Sequence, residues 1–138
     1  MRYLVWAIIA LAGYTAVPPL VKLATTDIPS DVVLLVSNGM LLVAAVGIIF
    51  AADVSVTPYL THERSVYAYG AGIALTVGIL SYYRALAAGP VSVVVPIFGM
   101  FIATSSIIGI VLLDEPLTGR KVAGIGLAVA AVYLTSVE

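Results

Sequence analysis

Five apolar stretches of roughly 20 residues restrict this chain more than any other feature, because that length at 1.5 Å rise per residue crosses a hydrocarbon layer of about 30 Å. They run from about Tyr3 to Leu23, Asp31 to Ala52, Val66 to Ala88, Val91 to Leu113 and Gly119 to Val137. The runs are continuous rather than alternating with period two, so a membrane β-barrel does not fit them. Composition agrees: 62% of the 138 residues are hydrophobic and 9% are charged, against roughly 45–50% and about 25% in soluble domains. The fold class expected is an all-α membrane protein of five transmembrane helices, one domain over residues 1–138, with the lipid bilayer as its main partner.

Short polar or proline-bearing segments separate the stretches. Pro18-Pro19 interrupts the first. A turn from Thr25 to Ser30, with Asp27 and Pro29, precedes the second. Asp53 to Ser65 is the longest connector, with Pro58, His62, Glu63 and Arg64, and is too short for a domain. Gly89-Pro90 breaks the chain before the fourth stretch, with Pro90 suited to open a helix. Asp114-Glu115-Pro116-Leu117-Thr118 makes the last turn, and Thr118 is a candidate N-cap for the fifth helix. The rival reading of the N-terminus is a cleavable signal peptide, since Arg2 precedes an apolar run reaching Ala10-Leu11-Ala12. The pattern continues to Leu23, which suits a retained helix.

Several functions are excluded by what the chain lacks. The net charge is −1 with no basic run, so nucleic acid is not an expected partner. There is no cysteine and one histidine, His62, so no metal site, haem or disulfide framework is expected, nor any other cofactor. No catalytic constellation is found either. His62 lies in a loop, no Gly-x-Ser-x-Gly elbow occurs and no acids pair within a span, so an enzyme is not expected.

Lysine and arginine positions bear on orientation. By span count Arg2, Arg64, Arg120 and Lys121 fall on one side and Lys22 and Arg84 on the other. Four against two favours a multi-pass cell-membrane protein with its N-terminus inside.

Ionisable groups within a span usually face protein or water, because each costs on the order of 2.5 kcal/mol or more near the bilayer centre. Lys22 and Arg84 are the candidates. Both lie toward the same membrane face, where together they could draw an anionic group into a cavity. No acid lies in the middle of a span, which argues against a carboxylate proton relay or a cationic substrate. The expected substrate-pathway residues are Tyr14, Lys22, Thr76, Tyr83, Arg84, Pro96 and Ser106, with Thr15, Thr104 and Ser105 as further polar candidates. Each hydroxyl can equally bond its own helix backbone. Pro96, Gly99, Ala103 and Ser106 share a face of the fourth span, and a kink is expected at Pro96. Helix-packing faces are expected at Gly70, Ala74 and Gly78 on the third span, and at Gly119, Ala123, Gly126 and Ala130 on the fifth.

The stretch Tyr83-Arg84-Ala85-Leu86-Ala87-Ala88-Gly89-Pro90-Val91-Ser92, then Val95-Pro96-Ile97, then Leu113-Asp114-Glu115-Pro116-Leu117-Thr118 resembles the EamA domain of the drug/metabolite transporter superfamily. Asp114 stands where that pattern has glycine, while Glu115, Leu117, Thr118, Gly124 and Gly126 match. Gly13-Tyr14 and Ser37-Asn38 depart from the Trp-Gly pair and the early arginine often seen in the first two helices. The resemblance implies a carrier of a small neutral or anionic metabolite, working by alternating access. It also implies that this chain is one half-repeat of a ten-helix transporter of that type. Inverted repeats enclose a path between them, so a dimer is expected: an antiparallel homodimer, a parallel one, or a heterodimer with another half-size protein. The alternative is a non-transporting membrane scaffold or partner subunit.

Overall fold

A computed structural model describes residues 2–114 and 116–136. The described residues form helices α1 (Arg2–Ala24), α2 (Ser30–Ala51), α3 (Thr57–Leu60), α4 (Ser65–Ala88), α5 (Val91–Leu112) and α6 (Gly119–Ser136), with no strand among them. The protein is an all-α membrane protein. Each expected stretch is a helix whose described bounds lie within one residue of those read from the sequence; Val137 lies outside the described residues.

The count of five spans needs correction. Among the described residues four helices are long and apolar enough to cross a membrane, α1, α2, α4 and α5. Helix α6 has 18 residues and falls short, because Arg120 and Lys121 occupy its first turn.

The expected interruption at Pro18-Pro19 is absent: α1 runs through both prolines. Their fixed φ suits a helix, but neither has an N–H, so the carbonyls of Tyr14 and Thr15 lose their donors four residues on. Helix α5 likewise continues through Pro96, at the expense of the Ser92 carbonyl. Pro29 and Pro90 are the residues immediately before α2 and α5, in extended conformation at φ −53°, ψ 137° and φ −71°, ψ 142°. Proline just outside a helix start loses nothing, since the first amides have no partner in any case.

The connector after α2 contains the one-turn α3, not foreseen in the sequence, with Pro58 in its first turn. It is tied to the start of α4: Ser65 Oγ donates to the Tyr59 carbonyl, and Tyr69 Oη donates to the Leu60 carbonyl at 2.7 Å. His62 has a local role there, its Nδ1 accepting from the Arg64 amide at 3.1 Å. Thr118 caps α6 as expected, its Oγ1 accepting from the Lys121 amide at 3.3 Å.

Contacts divide the chain at the Gly89-Pro90 turn into two compact units, residues 1–88 and 89–138. In the first, α4 packs against both α1 and α2; in the second, α5 pairs with α6. The buried residues of the first unit are Pro18 and Val21 on α1 and Tyr82, Tyr83 and Leu86 on α4, with Leu86 at 0% exposure. All lie toward the C-terminal ends of these two helices. Toward the other end packing stops, and residues 3–16 of α1, 40–48 of α2 and 66–78 of α4 are exposed throughout.

Candidate functional site

The first unit is held by a layer of polar contacts at its packed end. Ser37 lies two turns into α2, and its Oγ is 2.7 Å from the Val33 carbonyl and 2.9 Å from Tyr83 Oη. A serine hydroxyl has one proton. With that proton on the Val33 carbonyl, Tyr83 donates to Ser37, and a buried tyrosine finds its partner across the α2–α4 contact. Asn38 Nδ2 donates to the Leu34 carbonyl at 3.0 Å and lies 3.5 Å from Ser37 Oγ. A turn beyond, Arg84 Nη2 is 3.4 Å from Asp31 Oδ1. Lys22 Nζ donates to the Ala87 carbonyl at 3.2 Å, placing a cation at the negative end of α4.

These contacts change the reading of the two cations. Arg84 and Lys22 do lie at the same end of the unit, but Asp31 offsets the arginine and the α4 terminus engages the lysine. They are therefore not a bare pair drawing an anion. Asp31 and Arg84 are 66% and 60% exposed, so their pair is a weak one, worth about 0–1 kcal/mol at an exposed site. Asp31, Ser37 and Asn38 were missed as site residues. The signal for Asp31 was present: span count puts the start of α2 and the end of α4 on one side, with opposite charges there.

The remaining expected pathway residues are spread out. Tyr14 lies midway along α1 and is 68% exposed. Successive steps of four, three and four residues lead from it to Pro18, Val21 and Thr25, so it shares their helix face one turn past the point where packing ends. The hydroxyls of Thr15, Thr76, Thr104 and Ser106 bond carbonyls four residues earlier, at 2.7, 2.7, 3.2 and 2.8 Å. Pro96 is half-buried on α5.

Small residues do not pack within this chain where expected. Gly70, Ala74 and Gly78 are exposed, and a Cβ added at either glycine meets nothing within 4 Å. Ala123, Gly126 and Ala130 on α6 are exposed, as is Gly119. Ile125, Ala128 and Val132, on the other side of α6, are its half-buried positions.

The second unit has a groove of about 460 Å³ between its helices. Ile102, Ser105, Ser106 and Gly109 line it from α5, and Lys121, Gly124, Ile125 and Ala128 from α6; Ala103 forms its buried floor. Ser106 thus belongs to a different unit from Tyr14, Lys22, Thr76, Tyr83 and Arg84.

Long apolar helices joined by short connectors, with charge confined to their ends and to turns, define a multi-helix membrane protein. Residues 1–137 match the EamA-like transporter family, and the chain belongs to that family, within the drug/metabolite transporter superfamily. No curated protein and no solved structure matches it. The family is one of transporters, and at that level of detail membership supports transport as the chain's class of activity.

Proposed function

We propose that this protein is a secondary transporter of a small neutral or anionic metabolite, working by alternating access between two oppositely oriented copies in the cell membrane. The observation that carries the reading is the uneven packing of the first unit. It is closed at the end holding Ser37, Tyr83, Asp31, Arg84 and Lys22, and open along the remaining halves of α1, α2 and α4. A path sealed on one side and open on the other is what one state of an alternating-access carrier requires.

The open half carries Tyr14 at mid-membrane depth, beside the carbonyls of Tyr14 and Thr15 freed by Pro18-Pro19. Unsatisfied backbone groups in hydrocarbon cost several kcal/mol each, so they need a polar partner or water. A second copy enclosing a wet path supplies both. Lone carbonyls and a phenol hydroxyl suit a hydroxyl- or amide-bearing metabolite, and with no acid among residues 3–16, 40–48 and 66–78 of the open half, nothing there repels an anionic group. An inverted copy restores the symmetry by which paired repeats place substrate near the midplane. A heterodimer with a similar half-size protein meets the same needs. The N-terminus-inside orientation follows the lysine and arginine bias, which is shallow enough to admit both insertions.

Flux of metabolite panels into proteoliposomes tests the reading. An accumulated neutral or anionic solute is expected, with the rate reduced at least several-fold in Tyr14→Phe and Arg84→Ala at unchanged folding. Absence of flux across the panel with a correctly folded dimer would favour a scaffold role instead.

A further inference from the structure

We propose that the connector between α2 and α4 is seated in the bilayer interface, with Val54, Val56, Tyr59 and Leu60 against lipid and residues 61–64 toward water. The proposal goes beyond transport, concerns only the first unit and commits to a lipid surface as the cover for these side chains. All four are exposed. Their backbone is prepared for removal from water, where a segment must bond its own polar groups. The Tyr59 and Leu60 carbonyls accept from Ser65 Oγ and Tyr69 Oη, the latter at 2.7 Å. The Tyr59 amide donates to the Val56 carbonyl at 2.9 Å, and the Val54 amide to the Ile49 carbonyl at 3.2 Å. Pro58 has no amide proton to satisfy.

Position along the membrane normal agrees. Helices α2 and α4 are both apolar enough to span, and they expose Phe50 and Val66 close to the connector. The bonds from Ser65 and Tyr69 hold the connector to the start of α4, so its apolar row continues this lipid-facing surface. Aromatic side chains mark the level. By span count Tyr3, Trp6, Tyr59, Tyr67 and Tyr69 all lie toward one face of the membrane, and all are exposed. Toward the other face the unit's tyrosines, Tyr82 and Tyr83, are buried. Tyrosine and tryptophan collect at membrane–water interfaces because their rings are apolar and their tips polar. The charged side chains of Asp53, Glu63 and Arg64 bracket the apolar row in sequence. Each is costly in hydrocarbon, which sets the water boundary on either side of residues 54–60.

The test is spin labelling of the full chain in phosphatidylcholine vesicles. With no cysteine in the sequence, Val56→Cys, Leu60→Cys, His62→Cys and Glu63→Cys each carry a single label. Relaxation by oxygen, which concentrates in lipid, is compared with relaxation by a water-soluble nickel chelate equilibrated across both sides of the membrane. Labels at 56 and 60 are expected to favour oxygen at least several-fold, and labels at 62 and 63 to favour the chelate. All four side chains are exposed, so the fold should tolerate each replacement; circular dichroism and monodispersity check it. Val54→Cys and Tyr59→Cys supply the same reading if either apolar position fails to fold. Preference for the chelate at the apolar positions would place the connector in water and overturn the proposal. Weak relaxation by both reagents there would mean that protein, such as a second copy, covers the row, and would overturn it equally. Neither result depends on flux, so the test stands or falls separately from transport.

Discussion

Asp114 and Asp53 are the two non-glycine residues with positive φ among those described, at 52° and 51°, and each follows a spanning helix. The left-handed region crowds a Cβ against the carbonyl, by roughly 1–2 kcal/mol, with aspartate among the better-tolerated residues. The geometry explains why the EamA pattern has glycine where this chain has Asp114. Asp114→Gly is therefore expected to stabilise the protein by up to about 1 kcal/mol, read as a raised unfolding temperature in detergent; a lowered one would show that the aspartate side chain holds the turn. The Tyr83–Ser37 bond is a second residue-scale determinant. Tyr83 is 4% exposed, so Tyr83→Phe keeps the packing and removes only the donor. Between membrane helices such a bond contributes about 0.5–1 kcal/mol. The variant should lose that much stability, and Ser37→Ala in the same background should add little further.

At the scale of elements, helix existence and bounds were legible because they depend on runs of about 20 apolar residues and on proline and aspartate breaks, which are local. The Thr118 cap was legible for the same reason. Contacts between elements were not. Arg84 meets Asp31 across 53 residues and Lys22 meets Ala87 across 65, and neither pairing has a local signature beyond charge and span count. The proline pair in α1 was misread because a break that ends a soluble helix is tolerated in a spanning one, where other groups can meet the freed carbonyls. The run from Gly119 to Val137 has the length of a span, while Arg120 and Lys121 in the first turn of α6 lower its apolarity below that of the other four long helices.

Small-residue faces were found in the sequence but not their partners, since spacing shows that a face permits close approach without showing what approaches. Gly70→Leu therefore has a distinct expected outcome. With nothing within 4 Å of an added Cβ, the monomer fold should be unaffected. If a second copy seats on the α4 face, the dimer fraction should drop at least several-fold by crosslinking or light scattering. An unchanged dimer fraction would remove that face from the interface.

At the scale of the whole molecule, transport as proposed requires a second surface meeting the open half of the first unit. The chain exposes large apolar side chains along α1, α2 and α4, from Trp6 at 71% to Phe50 at 80%, as lipid contact allows. Lipid offers no hydrogen bond to Tyr14 Oη or to the carbonyls freed by Pro18-Pro19; under the proposed arrangement an inverted copy with a wet path between would supply one. Two opposite insertions are the central claim, and the absence of cysteine from these 138 residues makes it directly measurable. The measurement is membrane-impermeant thiol labelling of His62→Cys from each side of sealed vesicles. Two opposite insertions give labelling from both sides in comparable amounts, and labelling from one side alone would contradict them.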